Sequence, residues 1–283
     1  MNMIIKEMLK LFAPPILTQA YRALRARIRG GLYLSGNYSS WAEALAASTG
    51  YDSEIILEKT RVALLKVKKG EAAYERDSVL FDEIQYSWPL LAGLMWVAAQ
   101  SGGRLNVLDF GGSLGTTYFQ NRHFLERLPV VRWNIVEQPR WVEVGKAEFE
   151  DERLKFYGSI EACLAETQPN VIILSGVLQY LERPFDVLCT LSASQCNYLI
   201  IDRTPFWDGP MDRLCVQHVP ASIYPASYPC WIFSAHRFRS FLSKSWEIVA
   251  EFEGFDRLPS PVKTTWKGII ACRRDLPFGV SEC

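Results

Sequence analysis

The residues best suited to chemistry lie in a glycine-rich segment that follows an acid. Residues 106–117 read NVLDFGGSLGTT, so a β-prone run ends at Asp109 and continues into Gly111, Gly112 and Gly115. Glycine tolerates positive φ and leaves the backbone bare, which lets a ligand approach closely. A strand that enters such a turn before a helix presents backbone N–H groups to a bound nucleotide-like molecule. The segment therefore predicts a ligand-binding turn.

Four interpretations of this turn compete. A P-loop needs a Lys-Ser/Thr pair after its last glycine, whereas Thr116 and Thr117 follow Gly115. A dinucleotide fingerprint, GxGxxG, would need glycine at position 110, and Phe110 there disfavours an NAD-dependent oxidoreductase. The third interpretation is S-adenosylmethionine, and the fourth is a tight turn in a domain that binds no nucleotide.

S-adenosylmethionine suits the acids near the turn. It carries no phosphate, and the ammonium of its amino-acid end could be met by Asp109. Its ribose has a vicinal diol, and Glu137, which ends the next strand-like run, can accept both hydroxyl hydrogens. Further polar residues follow the fourth strand-like run. The predicted cofactor-binding residues are Asp109, Gly111, Gly112, Ser113, Gly115, Glu137, Gln138, Ser175, Gly176 and Gln179.

Candidates for catalysis are fewer, because methyl transfer depends mainly on aligning donor and acceptor. A general base helps where the acceptor is a hydroxyl. The predicted catalytic residues are His218, Tyr180 and Asp202, and the predicted substrate residues are Arg203, Tyr224 and Tyr228. His218 is expected in a long ordered loop over residues 203–229, and its alternative role is that of a surface residue. Tyr180 could equally begin a helix that packs on the sheet.

Strand-like and helix-like runs alternate from Leu105 onward, which predicts an α/β fold with a Rossmann-like, doubly wound and mostly parallel sheet. The strand-like runs are 105–110, 131–137, 153–157, 170–176 and 197–202, and the helix-like runs are 115–127, 139–149, 159–166 and 184–194. Two late runs, near 245–253 and 264–274, predict an antiparallel pair at the sheet edge. Seven strands are expected in all.

Three regions are expected along the chain. Residues 1–35 form a basic amphipathic segment, residues 36–103 a helical cap or lid, and residues 104–283 the cofactor-binding domain. Ser40 and Glu43 have the spacing of a capping box at the start of a short helix. The charged run Tyr74–Asp77 is interpreted either as a lid over the cofactor or as a solvated turn.

The composition narrows the class of protein. The chain has 283 residues with a formal net charge of zero, which gives no overall attraction to nucleic acid. Its seven cysteines form no CxxC pair, and no metal site is predicted. No run has the length of a membrane span, so a cytoplasmic protein is expected. The basic residues before position 30 either contact the inner membrane face or a partner, or lie against their own domain.

Several segments resemble known families. VLDFGGSLG, the strand that ends at Glu137, and VLQYLERPF resemble the seven-stranded, class I S-adenosylmethionine-dependent methyltransferases. SWAEALAASTGYDS, AAYERDSVLFDE and IYPASYPCWIF resemble a family of predicted methyltransferases from bacterial surface-polysaccharide gene clusters. The resemblance, over about residues 35–272, implies methyl transfer to oxygen or nitrogen of a small-molecule or carbohydrate acceptor. A non-catalytic partner or membrane-associated module with the same fold stays open.

Overall fold

A computed structural model of the chain describes residues 31–50 and 53–275, and these residues form two compact units. Within the described part, the larger unit comprises residues 53–204, 239–255 and 267–275, and the smaller unit comprises 31–50, 205–238 and 256–266. Of the basic segment predicted over residues 1–35, residues 1–30 lie outside the described residues, and residues 33–35 belong to the first strand. No helix in the described ranges is long and apolar enough to cross a membrane.

The described residues form twelve strands and eight α-helices. The strands are β1 (Tyr33–Tyr38), β2 (Tyr74–Arg76), β3 (Val79–Phe81), β4 (Arg104–Phe110), β5 (Val130–Val136), β6 (Leu154–Tyr157), β7 (Val171–Ser175), β8 (Tyr198–Trp207), β9 (Arg213–Val219), β10 (Ala226–Ser234), β11 (Trp246–Glu253) and β12 (Thr265–Arg273). The helices are α1 (Trp41–Ala46), α2 (Ser53–Lys68), α3 (Trp88–Gln100), α4 (Thr116–Leu125), α5 (Pro139–Glu148), α6 (Ile160–Glu166), α7 (Pro184–Ala193) and α8 (Ala235–Leu242).

The sheet of the larger unit has the predicted Rossmann-like order. Its strands follow one another as β6-β5-β4-β7-β8-β12-β11, and the first five are mutually parallel. Strand β12 is antiparallel to β11, and Arg273 at the end of β12 donates its backbone N–H to Asn197 just before β8 begins. The end of β12 therefore meets the start of β8, so β12 runs against the parallel strands. The predicted mostly parallel sheet with an antiparallel last strand is confirmed.

The strand order places a topological switch point between β4 and β7. From β4 the chain moves outward through β5 and β6, then returns to β7 on the other side of β4. The crossover connections therefore diverge beyond the carboxyl ends of these two strands, the arrangement that creates a crevice in open α/β sheets. Open α/β sheets bind their ligands in such crevices. The fold thus indicates where a site should lie before any side chain is considered.

A close-packed core fixes the strand ends in place. Alternate residues of the parallel strands and the apolar face of α3 form one buried cluster, which includes Leu90, Leu94, Leu105, Val107, Trp133, Ile135, Val171, Ile173 and Ile200. Burying each such side chain stabilises the fold by roughly 1.5–3 kcal/mol. The largest of them, Trp133, also carries a polar indole N–H into the core, and that group needs a partner.

The smaller unit contains β1, β9 and β10, with β9 antiparallel to both neighbours. The long loop predicted over residues 203–229 is therefore wrong, because β9 and the start of β10 occupy much of it. The polar pair Gln217 and His218 made β9 resemble a loop in sequence. In the structure both side chains find partners on adjacent strands, since Gln217 bonds Tyr228 and His218 bonds Ser35.

The region before α3 holds a hairpin that the sequence did not reveal. Strands β2 and β3 pair antiparallel through a two-residue turn at Asp77 and Ser78, whose φ values are 53° and 68°. Two successive positive φ values are typical of the type I′ turn, whose twist matches that of the strands. The region predicted as a helical cap, residues 36–103, therefore also contains strands: β2, β3 and the last residues of β1.

The capping box at α1 differs slightly from its prediction. The Ser40 hydroxyl accepts the Glu43 backbone N–H at 3.2 Å, as expected. The Glu43 carboxylate, however, accepts the backbone N–H of Ser39 at 2.8 Å and the Ser39 hydroxyl at 2.7 Å. These three hydrogen bonds therefore cap α1 from two adjacent serines, Ser39 and Ser40.

Candidate functional site

The glycine turn lies at the carboxyl end of β4, beside the switch point. The parallel pairing of β4 with β5 extends to Phe110, and Gly111 then donates its N–H to the Val136 carbonyl at 2.9 Å. The backbone next adopts positive φ at Gly111 (72°), Ser113 (57°) and Gly115 (105°). Only glycine takes such conformations without strain. The predicted strand–turn–helix is confirmed.

Two of the turn glycines are also required by close approach. A Cβ atom on Gly111 would collide with the Val177 side chain, and one on Gly112 would lie 2.6 Å from Cγ of Asp109. The turn therefore fits closely between the segment after β7 and the carboxylate below it. Any side chain at these positions would push the turn out of place.

Asp109 braces the turn from inside the protein. Its side chain is 1% exposed, and Oδ2 accepts the Trp133 indole N–H at 2.9 Å. Burial, reinforced by the charge of Glu137 and opposed by the Trp133 hydrogen bond, raises the pKa of Asp109 to about 7. Asp109 thus accepts the hydrogen bond of the buried Trp133 indole, and its carboxylate lies directly under Gly112.

Glu137 lies beside the glycine turn, as the sequence analysis expected. It follows β5, and its carboxylate accepts the Ser113 N–H at 3.2 Å through Oε1 and the Gln138 N–H at 2.9 Å through Oε2. Burial raises the pKa of Glu137, although these two backbone donors oppose the shift. Each carboxylate oxygen retains a further lone pair that can accept a hydroxyl hydrogen. Gln138 itself is exposed at the N-terminus of α5.

The end of β7 supplies the other side of the switch point. Ser175 ends the strand, and Gly176 adopts φ of 65° and donates its N–H to the Asp202 carbonyl at 3.0 Å. Gln179 follows in a short 3-10 helix and is 1% exposed. Its Nε2 donates to the Arg203 carbonyl at 3.2 Å, whereas its Oε1 has no hydrogen-bond partner within the described residues. A buried amide oxygen in this position favours a ligand that donates a hydrogen bond.

Asp202 and Arg203 lie in β8 where its pairing with β7 ends. Asp202 is 2% exposed, and its carboxylate accepts the Arg203 N–H at 2.8 Å and the Ser87 hydroxyl at 3.0 Å. The Arg203 guanidinium bonds Asp77 in the hairpin turn, at 2.7 Å to Oδ2. Desolvation acts to raise the pKa of Asp77, but the Arg203 charge outweighs it and holds that pKa below its ordinary value. Arg203 therefore joins β8 to the hairpin.

Backbone strain is concentrated in this part of the larger unit. Among the described residues, the non-glycine positions with positive φ are Asp77, Ser78, Ser113 and Arg203. One lies in the glycine turn, one in β8 where its pairing with β7 ends, and two in the hairpin turn that contacts Arg203. Such conformations cost free energy and persist where the surrounding structure enforces them, which is common at functional sites.

Glu75 is a buried acid that the sequence analysis noted only as part of a charged run. It lies in β2, is 1% exposed, and accepts the Thr116 hydroxyl at 2.6 Å and the Ser78 N–H at 2.7 Å. Burial, partly offset by these two hydrogen bonds, raises the pKa of Glu75 to about 7. Glu75 is thus not part of a solvated turn. The Asp-Ser pair that follows Arg76 was the only sequence signal for a hairpin here.

His218 lies in the smaller unit, in strand β9 and not in the expected loop. Its ring stacks on Tyr33 with centroids 4.4 Å apart and planes inclined by 11°. One ring nitrogen lies 2.8 Å from the Ser35 hydroxyl. These contacts hold the imidazole in a defined orientation at the pairing of β1 with β9.

The predicted substrate tyrosines also belong to the smaller unit. Tyr228 lies on β10, and its hydroxyl accepts a hydrogen bond from Gln217 at 3.1 Å. Tyr224 lies in the connection from β9 to β10, where its backbone N–H bonds the Pro220 carbonyl at 3.2 Å. Tyr180, by contrast, ends the short 3-10 helix after β7 in the larger unit.

The described residues form neither a metal site nor a disulfide. Over residues 31–50 and 53–275, no group of three or more His, Cys, Asp or Glu side chains could hold a metal ion. The six cysteines in those ranges are free thiols, and five of them are buried.

Comparison with known proteins yields only distant structural similarity. No family model matches the chain, and no curated protein matches it. The N-terminal domain of EvdMO1, solved in the presence of SAH and D-fucose, is 12% identical over 79% of this chain and 97% of its own, with a TM-score of 0.47. The N-methyltransferase NodS from Bradyrhizobium japonicum WM9, in complex with S-adenosyl-L-homocysteine, is 12% identical over 69% of this chain and 90% of its own, with a TM-score of 0.42. SAM-bound CalS10, an amino pentose methyltransferase from Micromonospora echinaspora, is 13% identical over 66% and 92%, with a TM-score of 0.43.

Proposed function

We propose that this chain binds S-adenosylmethionine and transfers its methyl group to oxygen or nitrogen of a small or glycan-linked acceptor. The observation that carries the proposal is the Glu137 carboxylate held against the Ser113 N–H at the glycine turn, beside the switch point of the sheet. A carboxylate in that position is suited to a ribose diol. The glycan setting rests on the resemblance of the sequence segments alone.

The charge at the start of α4 distinguishes this ligand from phosphate-bearing ones. A P-loop or dinucleotide site offers the helix N-terminus to a phosphate. Here the Glu75 carboxylate binds Thr116, the first residue of α4, so a phosphate would meet a negative group. Phe110 and the absence of a lysine after Gly115 point the same way. A cofactor with a cationic end and no phosphate suits this arrangement better.

Different residues of the larger unit would bind different parts of the cofactor. Glu137 would hold the ribose, and the bare backbone of Gly111 and Gly112 would allow close approach. Gly176 and Gln179 would contact the ligand at the end of β7. The cofactor, when bound, supplies a methyl group on a positively charged sulfur. The protein's main task is then to align the acceptor and exclude water.

The roles of the catalytic candidates differ. Asp202 is 2% exposed and bonds Arg203 and Ser87, so we assign it to positioning these two residues. Tyr180 and His218 remain the proposed catalytic residues, with His218 as the base where the acceptor is a hydroxyl. Arg203, Tyr224 and Tyr228 remain the proposed acceptor-binding residues.

Isothermal titration calorimetry with S-adenosylhomocysteine (SAH) tests the proposal. We expect the chain to bind SAH and not NAD, and Glu137→Ala to weaken SAH binding more than tenfold, because hydrogen bonds to a charged group are lost. Glu143→Ala, on an exposed position of α5, is the matched control and should leave the affinity unchanged. Binding of NAD without SAH, or equal SAH affinity in Glu137→Ala, would contradict the proposal.

A further inference from the structure

The β2–β3 hairpin lies across the switch point of the larger unit. At one end Glu75 bonds Thr116, just after the glycine turn that follows β4. At the other end Asp77 bonds Arg203, which lies in β8 where its pairing with β7 ends. Because β7 lies between β4 and β8 in the sheet, the hairpin must cross the carboxyl end of β7. The position that a Cβ of Gly176 would take is in fact 3.7 Å from Nη1 of Arg203.

Glu75 brings a buried carboxylate to the start of α4, where the charge of Arg203 stabilises it from beyond ion-pair distance. Its hydrogen-bond partners are a neutral hydroxyl and a backbone N–H, and no cation of the described residues lies within ion-pair distance of it. Carboxylates this deeply buried are rare unless they are paired. A cation that entered the crevice would regain the electrostatic stabilisation that burial removes.

The acid that the sequence suggested for this role faces elsewhere. Asp109 is bonded to Trp133 in the core, and the backbone of Gly112 covers its carboxylate so closely that a Cβ there would lie 2.6 Å from Cγ. On the side of the glycine turn that faces the hairpin, the acid is Glu75, whose carboxylate accepts the Thr116 hydroxyl. The buried, unpartnered Oε1 of Gln179, after β7, adds a second acceptor at the same strand end.

We propose that Glu75 receives the ammonium group of the amino-acid part of S-adenosylmethionine, so that the β2–β3 hairpin forms one wall of the cofactor site. This assignment rests on the proposed function. It gives the hairpin a binding role in addition to any part in covering the crevice. Recognition would combine Glu137 at the ribose with Glu75 at the ammonium, on the two sides of the sulfonium.

A double cycle, which combines one protein variant with one chemical change to the ligand, tests the assignment. Calorimetry would compare SAH with its desamino analogue, which lacks only the ammonium group, in wild type and in Glu75→Gln. In wild type we expect the analogue to bind about tenfold more weakly or worse, since a charge-assisted hydrogen bond is lost. In Glu75→Gln we expect the two ligands to bind within about twofold of each other, because the two changes remove the same interaction. Glu83→Gln, an exposed acid after the hairpin, should keep the wild-type ratio.

Several outcomes would overturn the assignment. Equal binding of both ligands by wild type would do so without any variant, and a wild-type ratio retained in Glu75→Gln would do so as well. Should Glu75→Gln fail to fold, Glu75→Asp withdraws the carboxylate by one methylene, and an unchanged preference for SAH in that variant would contradict the role. Wild type that binds neither ligand would overturn the proposed function itself.

Discussion

The parallel strands of the larger unit end at two edges of the sheet, a carboxyl edge and an amino edge. The two edges differ in how strongly their polar groups destabilise the fold. At the carboxyl edge, two buried acids, Asp109 and Glu75, have pKa values raised to about 7. At the amino edge lies a groove of about 730 Å³, lined by residues that include Arg104, Asn106 and Asn170. There the polar groups satisfy one another, since the Asn170 amide bonds both the Asn106 N–H and the Arg104 carbonyl.

This difference shows that an open groove is a weaker sign of function than buried polar groups and strained backbone that destabilise the fold. The amino-edge groove needs no ligand to explain it, because its hydrogen bonds close within the protein. The carboxyl edge holds buried carboxylates, left-handed non-glycine residues and an amide oxygen without a partner, and each of these destabilises the chain alone. Such features persist where a ligand or a reaction requires them, and this is the reason to place the site there.

The largest effect is expected from the turn glycines. Gly111→Ala would place a methyl group against Val177 at φ of 72°, so we expect SAH binding to fall more than a hundredfold and stability to fall by about 2 kcal/mol. Gly102→Ala is the matched control at the amino edge, because Gly102 has φ of 63° but no atom within 4 Å of an added Cβ. It should cost about 1 kcal/mol and leave binding unchanged. Calorimetry and urea unfolding measure both, and equal effects on binding would remove the contrast between the edges.

The dependence of stability on pH should show the cost of the buried acids. An acid with a pKa of about 7 in the folded state and about 4 in the unfolded state takes up a proton on folding between these values. The free energy of unfolding should therefore decrease as pH rises from about 4 to about 7. Asp109→Asn keeps an acceptor for Trp133 and removes one titration, so the decrease in its unfolding free energy from pH 5 to pH 7 should be smaller than that of wild type by about 2 kcal/mol.

Urea unfolding of wild type and Asp109→Asn at pH 5 and pH 7 measures this slope. The double variant with Glu75→Gln should be flatter still, since both acids with raised pKa values are then absent. A slope in Asp109→Asn as steep as that of wild type would show that Asp109 is already ionised in the folded protein.

The parallel sheet could be predicted because its signals are local. Buried parallel strands are continuous apolar runs, and the run that ends at Asp109 meets glycines required by backbone conformation. Glu137 could be placed for the same reason, since it directly follows such a run. In each case neighbouring residues contain the information, and the alternation of strand-like and helix-like runs then predicts a parallel sheet.

The hairpin and the orientation of Asp109 could not be predicted, because their causes are distant in sequence. Strand β2 has three residues, and the buried Glu75 carboxylate accepts a hydrogen bond from Thr116, which is 41 residues away in sequence. Asp109 turns toward Trp133 and accepts its buried indole N–H, and Trp133 is 24 residues away in sequence. Strand β9 was missed because Gln217 and His218 are polar, and only their contacts across the strands make them compatible with burial.

The smallest effect is expected at the amino edge itself. Arg132→Ala removes an exposed side chain that lines the groove, and we expect SAH affinity within twofold of wild type and stability within about 0.5 kcal/mol. The reason is distance: Arg132 precedes Glu137 by five residues along β5, a separation of about 17 Å, which is roughly twice the screening length in physiological salt. A tenfold change in SAH affinity on calorimetry would mean that the groove communicates with the cofactor site. The contrast between the edges would then describe two coupled sites instead of one site and a surface.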